Sequence, residues 1–110
     1  TDGTVVSGIG TLRNLHVHYL HADIETGEKE DRNTFLELDG CWEISGIDGL
    51  VADGEPHLHL TAYDGERTVV GHLEEGNEVN ALGEVVVREL DGADLTRRPN
   101  EYGVSMLERR

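Results

Sequence analysis

The segment Pro56-His57-Leu58-His59-Leu60 and the later segment Gly71-His72-Leu73 decide the fold that this sequence predicts. Between them lies Tyr63-Asp64-Gly65-Glu66, and an Asp-Gly pair between two such runs is the signal of a β-hairpin. Successive side chains of a strand point to opposite faces, so His57 and His59 project from the same face. Because the turn sends the chain back toward His72, we expect three imidazoles to converge on one point.

These three histidines have the chemistry of a transition-metal site. Three neutral nitrogen ligands with an open coordination position suit zinc or another first-row transition metal, whereas calcium and magnesium prefer oxygen ligands. The sequence therefore predicts a metal, with zinc as the preferred ion, held by His57, His59 and His72. The alternative is a set of surface or hydrogen-bonded histidines that share a strand by chance. Glu43 and Glu84 are candidates to orient an imidazole or to complete the ligand set.

Alternation of apolar and polar residues dominates the rest of the chain, while helical periodicity is weak. It predicts short strands that end in tight turns at Gly8-Ile9-Gly10, Asp39-Gly40 and Asp48-Gly49. Val79 to Leu90 favours strand, although Asn80 to Glu84 is also compatible with a brief helical turn. We therefore expect residues 1–110 to form a single β-rich domain of short antiparallel strands with little helix.

Two further groups of residues are assigned to structure rather than to chemistry. His16, His18 and His21 are interpreted as the solvated face of a strand, with a joint site with the first three histidines left open. Cys41, the one cysteine, lies beside Trp42 and is predicted to be a core residue. A single cysteine also excludes an intrachain disulfide and a thiolate zinc ribbon.

The charge balance is extreme, with 23 Asp and Glu against 9 Lys and Arg and a formal net charge of -14. Carboxylates spread along the whole chain repel one another, and salt screens that repulsion. Together with the near absence of lysine, this resembles the proteins of extreme halophiles more than an ordinary acidic cytosolic protein. Autonomous DNA binding is disfavoured, since basic residues cluster only at Arg97-Arg98 and Arg109-Arg110. With no signal peptide and no membrane-length apolar run, we expect a cytoplasmic protein.

Five motifs occur in an order that is similar to a known family, over about Thr4 to Leu90. They are Gly8-Ile9-Gly10, Glu43-Ile44-Ser45-Gly46-Ile47-Asp48-Gly49, Pro56-His57-Leu58-His59-Leu60, Gly71-His72-Leu73 and Glu84-Val85-Val86-Val87. Together they resemble the plant-and-prokaryote conserved (PPC) domain. This domain occurs alone in bacteria and archaea, and beside AT-hook DNA-binding motifs in plant nuclear proteins.

The resemblance implies an α+β fold with a mostly antiparallel sheet, assembled as a homotrimer. It also implies a metal held through the histidines matched here by His57, His59 and His72, and a label as a predicted DNA-binding protein. The chain has no AT-hook and begins almost at Gly8-Ile9-Gly10. We therefore expect it to lack the strand and helix that precede this motif in the family.

These observations favour a metal-binding module with a regulatory, ligand-binding or partner-binding role over an enzyme. The alternative is a metal-dependent enzyme that uses an open three-histidine site, where zinc lowers the pKa of a bound water. Glu43 or Glu84 is then the candidate base. Acyl transfer has no support, because no serine lies in a nucleophile-elbow context.

Overall fold

A computed structural model describes all residues from 1 to 110, and its regular elements are strands only. They are β1 (Gly3–Leu20), β2 (Asn33–Ala52), β3 (Glu55–Tyr63), β4 (Thr68–Leu73), β5 (Glu78–Glu89), β6 (Leu95–Pro99) and β7 (Ser105–Arg109). Every pairing is antiparallel, which confirms the predicted β-rich antiparallel fold. The helical turn considered for Asn80 to Glu84 is wrong, because these residues lie inside β5. Nothing in the fold is a helix of the length and apolarity needed to cross a membrane.

The strand pairings close on themselves. The main sheet has the order β2-β3-β4-β1-β5, and β2 also pairs with β1, so β1 to β4 form a ring. The join between β1 and β4 is short, with only Val17 opposite Leu73 and His18 opposite His72. β5 extends the sheet along the first part of β1, while β6 and β7 form a separate hairpin.

The first two strands are long and continuous, where short strands with intervening turns were predicted. β1 has 18 residues and β2 has 20, and the predicted turns at Gly8-Ile9-Gly10, Asp39-Gly40 and Asp48-Gly49 lie within them. At one of these points Gly40 and Cys41 of β2 face the single residue Arg13 of β1, which is a β-bulge. Gly40 has a φ of 103°, a conformation that favours glycine. The glycines therefore bend the strands and do not end them.

The bulge also corrects the assignment of Cys41, which is exposed and not part of the core. The core consists of alternate residues that point into the ring of strands. They are Leu12, Leu15, Val17, Trp42, Ile44, Ile47, Leu60 and Ala62. Trp42 is fully buried, and its indole Nε1 donates a hydrogen bond to the Asp39 carbonyl at 3.2 Å.

A polar clasp fixes the β6–β7 hairpin to the ring. The carboxylate of Asp2 accepts hydrogen bonds from the backbone N–H groups of Asp53 and Leu95, each at 2.8 Å. Those two N–H groups, chiefly that of Leu95, lower the pKa of Asp2 below its ordinary value. Arg110 at the end of β7 pairs with Asp53 and Asp94. The hairpin is thereby held against the ring at the turn between β2 and β3.

Candidate metal centre

Strand register brings four histidines together. His72 of β4 lies opposite His59 of β3 on one side and opposite His18 of β1 on the other. Directly opposite residues of an antiparallel pair project from the same face of the sheet. His57 precedes His59 by two residues and so shares that face. The four imidazoles form a patch across three neighbouring strands, which we call the histidine cluster.

The three predicted ligands have a spacing that suits one ion. The donor atoms of His57, His59 and His72 all lie within 4.8 Å of one another. The two Nε2 atoms of His57 and His59 are 3.2 Å apart. Two nitrogens bound to tetrahedral zinc at about 2.0–2.1 Å are separated by roughly 3.4 Å. The side chains therefore stand close to the positions that a shared ion requires.

The environment of the cluster favours neutral imidazoles. His57 and His72 both have a pKa below the ordinary value of 6.5, and partial burial is the main cause for each. The positive charge of Arg97 is the second cause for His57, and the neighbouring imidazole of His18 is the second cause for His72. Neutral imidazole is the form that binds a metal, so at neutral pH no proton has to be displaced from these two side chains.

The carboxylate that reaches the cluster is Glu74, which the sequence did not single out. Its Oε1 lies 3.0 Å from His18 Nδ1 and its Oε2 lies 3.6 Å from His72 Nε2. His18, His72 and Glu74 form a second set whose donor atoms lie within 4.8 Å of one another. Glu74 directly follows β4, and that position next to His72 was the one signal available for it.

The other candidates lie elsewhere. Glu43 is opposite Tyr63, four residues along β3 from His59, or about 13 Å at the usual rise per residue. Glu84 is opposite Ile9 in β5, at the far part of β1 from His18. Neither belongs to a group of side chains that could hold a metal, so the orienting role predicted for them is wrong.

The predicted solvated group of histidines divides in the structure. His16 Nδ1 lies 2.6 Å from the Glu75 carbonyl oxygen, and His21 Nδ1 lies 2.7 Å from Thr34 Oγ1. Both lie outside the histidine cluster, as predicted, although His21 follows the end of β1 and is not on the strand face. His18 departs from the prediction, because it is half-buried in the histidine cluster, with its ring centroid 4.4 Å from that of His72.

The cluster faces a cavity of about 370 Å³. All four histidines contribute to its wall, together with Arg32 from the segment before β2 and Ser105 from β7. The clasp at Asp2 holds the hairpin that carries Ser105 in this place. An ion on His57, His59 and His72 is thus within reach of a small molecule from solvent.

Known proteins place this architecture in a family. The model of the Plants and Prokaryotes Conserved (PCC) domain matches residues 1–91. No curated protein matches the chain. Several solved structures share the fold, among them the following three. A protein from Pyrococcus horikoshii, described as a plant- and prokaryote-conserved (PPC) protein, is 29% identical with a TM-score of 0.75, over 99% of this chain and 73% of its own.

The second structure is a metal-containing protein from Archaeoglobus fulgidus. It is 25% identical with a TM-score of 0.76, and the match covers 97% of this chain and 74% of that one. The third, from Bacteroides thetaiotaomicron, is described as a candidate DNA-binding protein. At 22% identity and a TM-score of 0.78, over 97% of this chain and 73% of that one, it shows the fold alone. The match over residues 1–91 agrees with the strand order and the histidine motifs, and the chain therefore belongs to the plant-and-prokaryote conserved domain family.

Proposed function

We propose that this domain is a metal-binding module in which His57, His59 and His72 hold one transition-metal ion, with zinc as the preferred metal. The observation that carries the proposal is the convergence of the three donor atoms within 4.8 Å on one face of the sheet. The description of the protein from Archaeoglobus fulgidus as metal-containing supports it. All-nitrogen ligation favours zinc and its first-row neighbours over calcium or magnesium.

The protein residues have two separate tasks at such a site. His57, His59 and His72 supply the ligands, and an ion held by them cross-links β3 to β4. His18 and Glu74 position His72, since partners of a ligand imidazole fix its orientation and raise its basicity. Bound zinc supplies Lewis acidity and a position for an exogenous ligand. A regulatory or ligand-binding role follows from a site that combines a fixed ion with an open cavity.

We propose the homotrimer as the working assembly. Val6, Ile9, Val79, Leu82 and Val85 are 47–60% exposed on β1 and β5. Apolar side chains gathered on neighbouring strands in this way are typical of an interface. The family resemblance is the second support.

We propose DNA as a partner only because members of the family are labelled as predicted DNA-binding proteins. The family resemblance supports it, and the net charge of -14 opposes it. Salt screening in a halophilic cytoplasm, which the acidic composition favours as the setting, weakens that opposition.

A metal-dependent enzyme is the second candidate function, and the cavity beside the histidine cluster is the observation that favours it. A water on zinc there has a lowered pKa and could act on a small substrate. Glu43 and Glu84 are too far along their strands to act as its base. A binding module is the better supported function, because no cavity-wall residue carries a carboxylate and Glu74, which reaches the cluster, is engaged by His18 and His72.

The test is metal stoichiometry by elemental analysis on tag-free protein that is purified in high salt and reconstituted with zinc. We expect about one zinc per chain in the wild type, and loss of the metal in His57→Ala, His59→Ala and His72→Ala. His21→Ala is the matched control and should retain the metal. If the three variants bind as much zinc as the wild type, the site assignment is wrong.

A further inference from the structure

The cavity beside the histidine cluster differs in charge from the rest of the molecule. The chain has 23 acidic residues among 110, yet none of the 12 residues that line the cavity is Asp or Glu. Arg32 and the four histidines lie on its wall, and the remaining seven lining residues are uncharged. The carboxylate of Glu74 is not among the lining residues and is engaged by His18 and His72 at 3.0 and 3.6 Å. A cavity wall without carboxylates, in a protein whose overall charge repels anions, marks a local site where an anion is favoured.

The guanidinium of Arg32, on the cavity wall, has no carboxylate partner. Arg13, Arg67, Arg98 and Arg110 each pair with a carboxylate, whereas Arg32, Arg88, Arg97 and Arg109 do not. Arg32 instead donates to two backbone carbonyls, from Nη2 to Tyr102 at 2.8 Å and from Nε to Lys29 at 3.3 Å. These bonds fix its position and leave its charge without a counter-ion.

Arg97 adds a second uncompensated charge close to the histidines. Its Nε is buried without a hydrogen-bond partner, and its Nη1 donates to the carbonyl of Ser105, a residue of the cavity wall, at 3.4 Å. An unpaired guanidinium beside a cation site is unfavourable unless an anion is present as well.

We propose that this cavity binds a small anion with a carboxylate or phosphate group, anchored by the guanidinium of Arg32. Planar guanidinium groups donate paired, charge-assisted hydrogen bonds to both kinds of anion. A volume of about 370 Å³ suits a small molecule, and is far below the extended surface that duplex DNA contacts. A second anchor, the open position of the bound metal, rests on the proposed function, whereas the Arg32 contact does not.

The experiment uses inorganic phosphate and malonate as probes, titrated by calorimetry into zinc-loaded and metal-free protein at low chloride. We expect millimolar or tighter binding of at least one probe, and the tighter of the two identifies the anionic group. Arg32→Gln should weaken it roughly 10- to 100-fold, the usual effect of losing a charge-assisted hydrogen bond. Arg88→Gln, at an exposed arginine of β5, is the matched control and should bind as the wild type does.

Ser105→Glu is the second variant, because it places a carboxylate on the cavity wall and leaves Arg32 unchanged. It should also abolish binding through like-charge repulsion, even if Arg32→Gln disturbs the segment that Arg32 holds. The inference is overturned if neither probe binds, whether or not duplex DNA binds. It is also overturned if both variants bind the probes as the wild type does. If the protein binds an anion but holds no zinc, the anion site is supported and the proposed metal site is contradicted. If it holds zinc but binds no anion, the metal site is supported and the anion site is contradicted.

Discussion

His16 and His18 lie two residues apart on the same face of β1, yet their surroundings differ. His18 faces His72 across the join between β1 and β4. At His16 β4 has already ended, and the side chain of Asn77 pairs with its backbone, accepting from His16 N at 2.9 Å and donating to His16 O at 3.0 Å. The comparison teaches that alternation along a strand determines which face a histidine projects from, whereas the neighbouring strand determines which side chains it contacts.

Gly71→Ala should have the largest effect on stability. It should open the join between β1 and β4, and so remove the neighbour that distinguishes His18 from His16. A Cβ at Gly71 would lie 2.9 Å from the carbonyl oxygen of His18 and 3.1 Å from Cβ of Val17. Because a backbone atom must move, β4 separates from β1, and we expect a loss of roughly 1–3 kcal/mol in the free energy of unfolding. Urea denaturation measures it, with Gly46→Ala as the control, since Gly46 has open space around it. Equal stability of the two variants would contradict the close packing of this join.

The pair His18→Ala and His16→Ala tests the comparison directly. If His18 and Glu74 position His72, the loss of His18 should weaken zinc binding roughly 10- to 100-fold, the range for outer partners of a metal ligand. His16→Ala should leave zinc affinity unchanged, because its ring binds the Glu75 carbonyl and it belongs to neither group of candidate ligands. Competition with a chromogenic chelator gives both affinities. Equal affinities would show that His18 has no part in the site.

The smallest expected effect is the pH dependence of the metal-free protein. His57 and His72 have a lowered pKa in the folded state, so the unfolded chain binds more protons just below the ordinary value of 6.5. The free energy of unfolding should therefore be highest above pH 6.5 and should fall as the pH drops toward the folded-state pKa. We expect urea midpoints between about pH 8 and 5 to show this decline. Replacing His57 and His72 by glutamine should flatten it, whereas His16→Gln should not.

Much of this site could be predicted from local sequence. The alternation around His57 and His59 and the Asp64-Gly65 turn correctly predict a hairpin that brings His72 opposite His59. Their role as metal ligands stays a prediction. His18 and Glu74 could not be assigned, because their place depends on the join between β4 and the distant β1. That join forms only when β1 to β4 close into a ring, and no local sequence pattern predicts which distant strands will pair.

The same limit explains the errors in the fold. Gly40 and Gly49 were interpreted as turn residues, since Asp-Gly pairs favour turns. In β2, Gly40 forms part of a β-bulge, and Gly49 lies so close to the backbone of His57 that a side chain would not fit there. The exposure of Cys41 follows from the same bulge, which turns its side chain away from the core that Trp42 enters.

The narrow join between β1 and β4 has a consequence for the order of folding. Contacts between residues distant in sequence form slowly, whereas hairpins form within microseconds. His57, His59 and His72 all belong to the β3–β4 hairpin, but His18 reaches them only when the ring closes. If these three histidines hold the proposed ion, the hairpin would capture it early, and the ion would act as a nucleus on which the longer strands assemble. Refolding with zinc present should then be faster than without it.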